Sequence, residues 1–156
     1  MMIFNPSDIE PDVALQGFLD GLVEVGLPDG SKAKVKVYSD WERPTNELPD
    51  DFITVYINGD INGLGGKIGY GDGNIMVSLY CKMNDDGSVK KNRVKKILHQ
   101  IDDKVEKRVI GDYFFEYDKP RFITPTTPNQ SSGYSITTLN LKWHTTESFN
   151  KSNTTT

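Results

Sequence analysis

The sequence predicts a single-domain α+β fold: a mainly antiparallel sheet flanked by two α-helices, with a long Gly-rich hairpin. Two stretches far apart in the chain place apolar residues at helical spacing, and several stretches between and after them alternate apolar with polar residues. No internal repeat or shift in composition marks a linker, so the order of helix, run of strands, helix and further strands belongs to one unit. Residues 1–145 form the expected domain and residues 146–156 a polar C-terminal tail.

From Pro11 onwards, Leu15, Phe18, Leu19, Leu22 and Val23 fall at the i, i+3, i+4, i+7 spacing of one helix face. Pro11 suits the first turn, where a missing N–H costs nothing. Ser7 and Asp8 are candidate caps, and Gly26 with Pro28 marks the expected stop. "PDGSKAKVKVYSD" opens on turn residues and then puts Val35 and Val37 on one side and Lys34, Lys36 and Tyr38 on the other, which predicts a half-buried strand. "WERPTNELPDD", with two prolines and mostly polar residues, reads as a long exposed connection.

"FITVYING" predicts a second strand, with Ile53, Val55 and Ile57 on one face. "NIMVSLYCKM" predicts a third, with Ile75, Val77, Leu79 and Cys81 facing one way. After the "NDDG" turn, Val94, Ile97, Leu98, Ile101 and Val105 form a second helical stripe expected to end near Gly111. "DYFFEYDKPRFITP" and "GYSITTLNLKWHT", rich in aromatic and β-branched residues and broken by Pro and Gly, favour two or three closing strands.

Bulk properties bound the function. At 156 residues the chain can bury roughly two thirds of its unfolded surface, so a core forms without a metal or disulfide staple. A net charge of −4 gives no general drive towards nucleic acid, which needs clustered Lys and Arg. The one cysteine, Cys81, has no internal disulfide partner. The opening "MMIFNPSDIEP" lacks the charged and apolar regions of a signal peptide, and synthesis in the cytoplasm is expected. No apolar run approaches the ~18 residues of a membrane span.

The stretch "GDINGLGGKIGYGDG", Gly59 to Gly73, invites a phosphate-binding reading that its spacing refuses. From Gly63 and Gly65 the third glycine of a dinucleotide fingerprint would fall on Ile68, and from Gly69 and Gly71 on Asn74. A P-loop fails too, because Gly66-Lys67 is followed by Ile68 and preceded at the required distance by Ile61. The segment also leads into a strand, whereas both motifs hold anions at a helix N-terminus. An extended twisting hairpin remains, either a simple connection or a loop that orders against a partner. Ile61, Leu64, Ile68 and Tyr70 give it apolar residues to bury against a neighbour.

Other chemistry is thin. Asp60, Asn62 and Asp72 suggest a calcium loop, but Leu64 and Gly71 stand where ligands are needed. His99 and His144 have no second ligand at metal spacing, and Cys81 sits on the apolar face of its strand, as a small buried hydrophobe does. No catalytic residue, metal site or cofactor is therefore expected. The second helix opens on Lys90, Lys91, Arg93, Lys95 and Lys96, where the macrodipole disfavours positive charge. Such a cluster is either a solvated face or the complement of an acidic partner, and Lys91, Lys95 and Lys96 are its candidate contacts.

The strings "LPDDFITVYING", "NIMVSLYCKMNDDGSVKKNRVKKIL" and "GYSITTLNLKW" resemble tail terminator (tail completion) and related head–tail joining proteins of long-tailed bacteriophages. The likeness is one of element order and packing pattern, spans Ile9 to His144, and transfers no catalytic group. It implies a small α+β protomer that assembles as a homohexameric ring on the tail tube. The ring stops tube polymerisation and docks the head through a head-completion (stopper) protein. The resemblance implies a virion location, no enzymatic activity, no membrane partner, and DNA only as it passes through the channel, which the chain's overall acidic charge suits. Another neck protein, a generic protein-binding module and a small enzyme are the alternative readings of the same residues.

Overall fold

The computed structural model of the chain describes residues 10–39, 42–63, 71–118 and 123–146, with backbone alone at 58–63, 71 and 123–125. Helix α1 (Pro11–Leu19) leads into a small antiparallel pair, β1 (Glu24–Gly26) and β2 (Lys32–Lys34). Strands β3 (Lys36–Ser39), β4 (Asp51–Gly63) and β5 (Gly71–Lys82) follow, then helix α2 (Lys91–Val105). The chain closes with β6 (Arg108–Ile110), β7 (Tyr113–Tyr117), β8 (Ile123–Asn129) and β9 (Tyr134–Thr145). The fold is α+β with a mostly antiparallel seven-stranded sheet in the order β3-β4-β5-β9-β7-β6, and β8 pairs with the N-terminal half of β9 beside β7.

Both helices lie on one face of this sheet. Leu15 and Leu19 of α1 and Val94, Ile97, Ile101 and Val105 of α2 join one core with Val37, Ile53, Val55, Ile75, Val77, Leu79, Cys81, Leu139, Leu141 and Trp143. The alternation of the third predicted strand is therefore seen in full, since Ile75, Val77, Leu79 and Cys81 are all buried. On the opposite face a second layer of aromatics gathers. Phe52 stacks on Tyr80 at 4.6 Å, with Tyr38 and Tyr134 edge-on to Phe52. The connection at 42–50 crosses this cluster: the Arg43 guanidinium lies 5.5 Å over the Tyr80 ring, and the Tyr134 hydroxyl donates to the Pro49 carbonyl at 2.7 Å.

Three boundaries differ from the sequence reading. The first helix ends at Leu19, not at Gly26, because Gly21 turns the chain at φ +86°. Leu22 is then exposed, while Val23 still reaches the core from outside the helix. The single strand expected over "KAKVKVYSD" is two strands. Val35 and Val37 are both buried as expected, but β2 pairs with β1 whereas β3 runs parallel to β4. The second helix stops at Val105, and Lys107 adopts φ +48° ahead of β6. Gly111, at φ +59°, turns β6 into β7. Glu10 is the N-cap of α1 without a side-chain bond, while Ser7 and Asp8 lie outside the described residues.

Candidate interaction surfaces

The basic end of α2 divides by function once folded. Arg93 is drawn inwards. Its Nε donates to both carboxylate oxygens of Asp51 at 3.0 Å, its Nη2 to Asp51 Oδ2 at 2.5 Å and its Nη1 to the Gly26 carbonyl at 3.2 Å. Asp51 is 7% exposed at the start of β4, so this bidentate pair neutralises a buried carboxylate and fixes α2 to the sheet. Seven residues on, Gln100 bonds β1 as a strand would: its Oε1 accepts from the Glu24 N–H at 3.0 Å and its Nε2 donates to the Glu24 carbonyl at 2.7 Å. Tyr117 donates its hydroxyl to Asp102 Oδ1, tying the same helix to β7. Sequence spacing gives no sign of these three anchors, because each joins residues distant along the chain.

Lys91, Lys95 and Lys96 remain exposed on α2; Lys95 and Lys96 share a hollow of about 680 Å³ with Asn92 and His99, and each also faces a second one. Lys91 and Lys95 flank a hollow of about 300 Å³ floored by Val89, Val94 and Leu98 and bounded by Thr126 of β8. Lys96 lines another of about 490 Å³ between α2 and the β1–β2 pair, with Leu22, Lys32, Ile97 and Gln100. The helix starts without a side-chain cap and with no acidic residue in its first turn, so the dipole cost expected from the sequence is present.

Of the four apolar residues expected to make contacts from the glycine stretch, Ile61 belongs to β4, with its backbone alone described. Leu64, Ile68 and Tyr70 lie outside the described residues. The strands on either side pair antiparallel from Asp51↔Cys81 to Gly63↔Gly71, with a register shift between Asn58 and Asn62. β3 accompanies β4 only as far as Val55.

Among the described residues the remaining titratable groups are placed as follows. Cys81 is buried, and its thiol is pushed up by burial first and by the Asp51 carboxylate next, away from the reactive thiolate. His144 lies 3.2 Å from a Glu116 oxygen on the face away from the helices, where Lys142 approaches Asp118 at 3.6 Å. His99 is exposed on α2. Among the described residues no group of three or more His, Cys, Asp and Glu could hold a metal ion, and no helix is long and apolar enough to cross a membrane. Comparison with protein-family models, with curated proteins and with solved structures returns no match for this chain.

Proposed function

We propose that this chain is a structural virion protein, a tail terminator that forms a ring at the end of a phage tail tube, stops its polymerisation and joins tail to head. The ring is built of copies of this chain, six in the resemblance noted above, and its further partners are the tail tube protein and a head-completion protein. The observation that carries the reading is the β4–β5 ribbon. β4 continues from Tyr56 to Gly63 beyond its β3 neighbour while β5 stays paired with β9 as far as Asp72, so among the described residues the outer side of this stretch is an open sheet edge, suited to pairing with another subunit. The exposed lysines of α2, beside an apolar hollow, supply a second and chemically different surface, as a head-to-tail contact requires.

Negative-stain electron microscopy of the purified protein, with light scattering on the same sample, tests the reading. Rings with six-fold symmetry that cap tail tubes in an assembly mixture are expected. Isolated particles that neither form rings nor bind tubes at assembly concentrations would sink it.

A further inference from the structure

Among the described residues the seven-stranded sheet has two open stretches of edge, and the register places them at the same level on opposite sides. Asn62 of β4 pairs with Asp72, Asp72 with His144, His144 with Phe114 and Phe114 with Val109, so one row crosses β4, β5, β9, β7 and β6. All four steps are antiparallel, hence β4 and β6 run in the same direction.

An unpaired strand edge offers a row of N–H and C=O groups to any other chain, and proteins usually blunt it. Here the other half of each edge is blunted. Beside β4, the edge strand β3 has its Val37 carbonyl taken by Gln16 Nε2 at 3.1 Å. Beside β7, the edge strand β8 carries Pro125 and Pro128, which have no N–H to give. The two lower stretches are less protected, by a register shift between Asn58 and Asn62 on β4 and by the shortness of β6, so a few residues on each remain to pair. "YINGDING" over 56–63 contains neither Lys nor Pro, and among the described residues no strand lies on its outer side. β6 presents Val109 at 59% exposure, the highest of the large exposed apolar residues among those described.

We infer that the outer edge of β4 beyond Val55 pairs in parallel with β6 of a second copy of this chain, near Asn62 and Val109, so that successive copies share one continuous sheet. Each edge supplies the donors and acceptors that the other lacks, and the contact covers Val109. Because the two edges are different surfaces of one protomer, the contact is head-to-tail and repeats from copy to copy. A self-complementary dimer would instead pair like edges. The inference rests on the ring reading and specifies the contact within it.

Cysteine pairs test it in the full-length chain, whose Cys81 is buried. Asp60→Cys, Ile61→Cys and Asn62→Cys are each combined with Val109→Cys and oxidised under assembly conditions, while light scattering reports the particle size. A ladder of cross-linked species from at least one double variant is expected, together with heterodimers when its two single variants are mixed. Val109→Cys alone should give neither. Dimers from Val109→Cys alone would overturn the inference in favour of like edges. Rings that form without any cross-link would overturn the edge pairing and leave the ring reading standing, whereas particles that stay monomeric and unlinked would overturn both. Val109→Lys, which places a charge on the edge, should reduce association at least tenfold with unchanged circular dichroism, and unchanged association would count against the pairing.

Discussion

Gly73 and Trp143 face each other as partners across the β5–β9 pair, and the indole occupies the space a side chain at 73 would need. A Cβ on residue 73 would stand 2.7 Å from Nε1 and 2.9 Å from Cε2 of a fully buried ring. The ring is wedged edge-on to Tyr113 at 5.8 Å, so it cannot give way cheaply. This glycine serves close approach, and it anchors the base of the ribbon to the core.

Gly73→Ala is expected to destabilise the protein by about 1–3 kcal/mol, the cost of overpacking a filled site. Gly17→Ala is the control. Its Cβ meets nothing within 4 Å on an exposed turn of α1, so stability should hold or rise by about 0.4–1 kcal/mol. Urea unfolding of the two variants settles the matter, and equal midpoints would show that Trp143 does not depend on Gly73.

Arg93→Ala removes the one cation that, among the described residues, is bonded to the Asp51 carboxylate, which is 7% exposed, and the expected loss is about 3–5 kcal/mol. By contrast, Lys34→Ala breaks an exposed pair with Glu24 at 3.6 Å and should cost at most about 1 kcal/mol. Arg93→Lys should recover only part of the loss, because an ammonium cannot reproduce the fork on Asp51. A loss below about 1 kcal/mol for Arg93→Ala would mean that solvent reaches Asp51.

The alternation of β5 and the stripe of α2 were legible because a residue's face follows from its parity or its helical phase, and both are written in the sequence. Pairing partners are not written there. The same alternation runs through Lys32 to Ser39, yet the chain changes neighbours between Lys34 and Lys36, from β1 to β4. Leu22 and Val23 kept the helical period only by coincidence of spacing, since Gly21 had already turned the chain. Of the five cations of "VKKNRVKK", one is spent internally on Asp51, 42 residues away, a use that only the folded chain reveals. The α+β class thus followed from local pattern, whereas the division of the basic cluster and the two open sheet edges followed from tertiary register.

Cys81 should behave as an inert core residue. Burial and the neighbouring Asp51 carboxylate both disfavour its thiolate, which is the reactive form. A thiol reagent is therefore expected to label it only at the rate of unfolding, with a sharp rise across the urea transition. Fast labelling of the native protein would show that the strand opens locally.

Two Asp-Gly-Ser turns provide a pH test. In each, Asp Oδ1 accepts from the Ser N–H at 2.9 Å and from the Ser hydroxyl at 2.5 Å, at Asp29–Ser31 and again at Asp86–Ser88. These bonds, the hydroxyl's first, hold both carboxyls below the ordinary value of 3.8. A depressed folded value means a contribution that is present above 3.8 and is lost as pH falls through the lowered value. Carboxyl NMR titration should give midpoints below 3.8 for both. Ser88→Ala should move Asp86 back towards 3.8 and leave Asp29 in place. Midpoints that ignore the serine would assign the shift to another cause.

The lysines of α2 allow assembly to be separated from folding. Lys91 is the first residue of the helix, where a positive charge opposes the macrodipole and a negative one favours it. Lys91→Glu should accordingly hold or raise protomer stability, by about 0.3–1 kcal/mol at low salt. If the hollow floored by Val89, Val94 and Leu98 receives an acidic, partly apolar segment of a neighbour, the same change should weaken assembly. Lys91→Glu with Lys95→Glu reverses both charges on that rim, whereas Lys96→Glu alters the hollow beside the β1–β2 pair and the one it shares with Lys95, and should weaken assembly less. In the parent protein, association through this surface should fall as salt rises, and in the double variant that salt dependence should flatten or invert. Sedimentation velocity at low and high salt, with urea unfolding alongside, reads both quantities. A double variant that assembles like the parent at every salt concentration would leave these lysines as a solvated face.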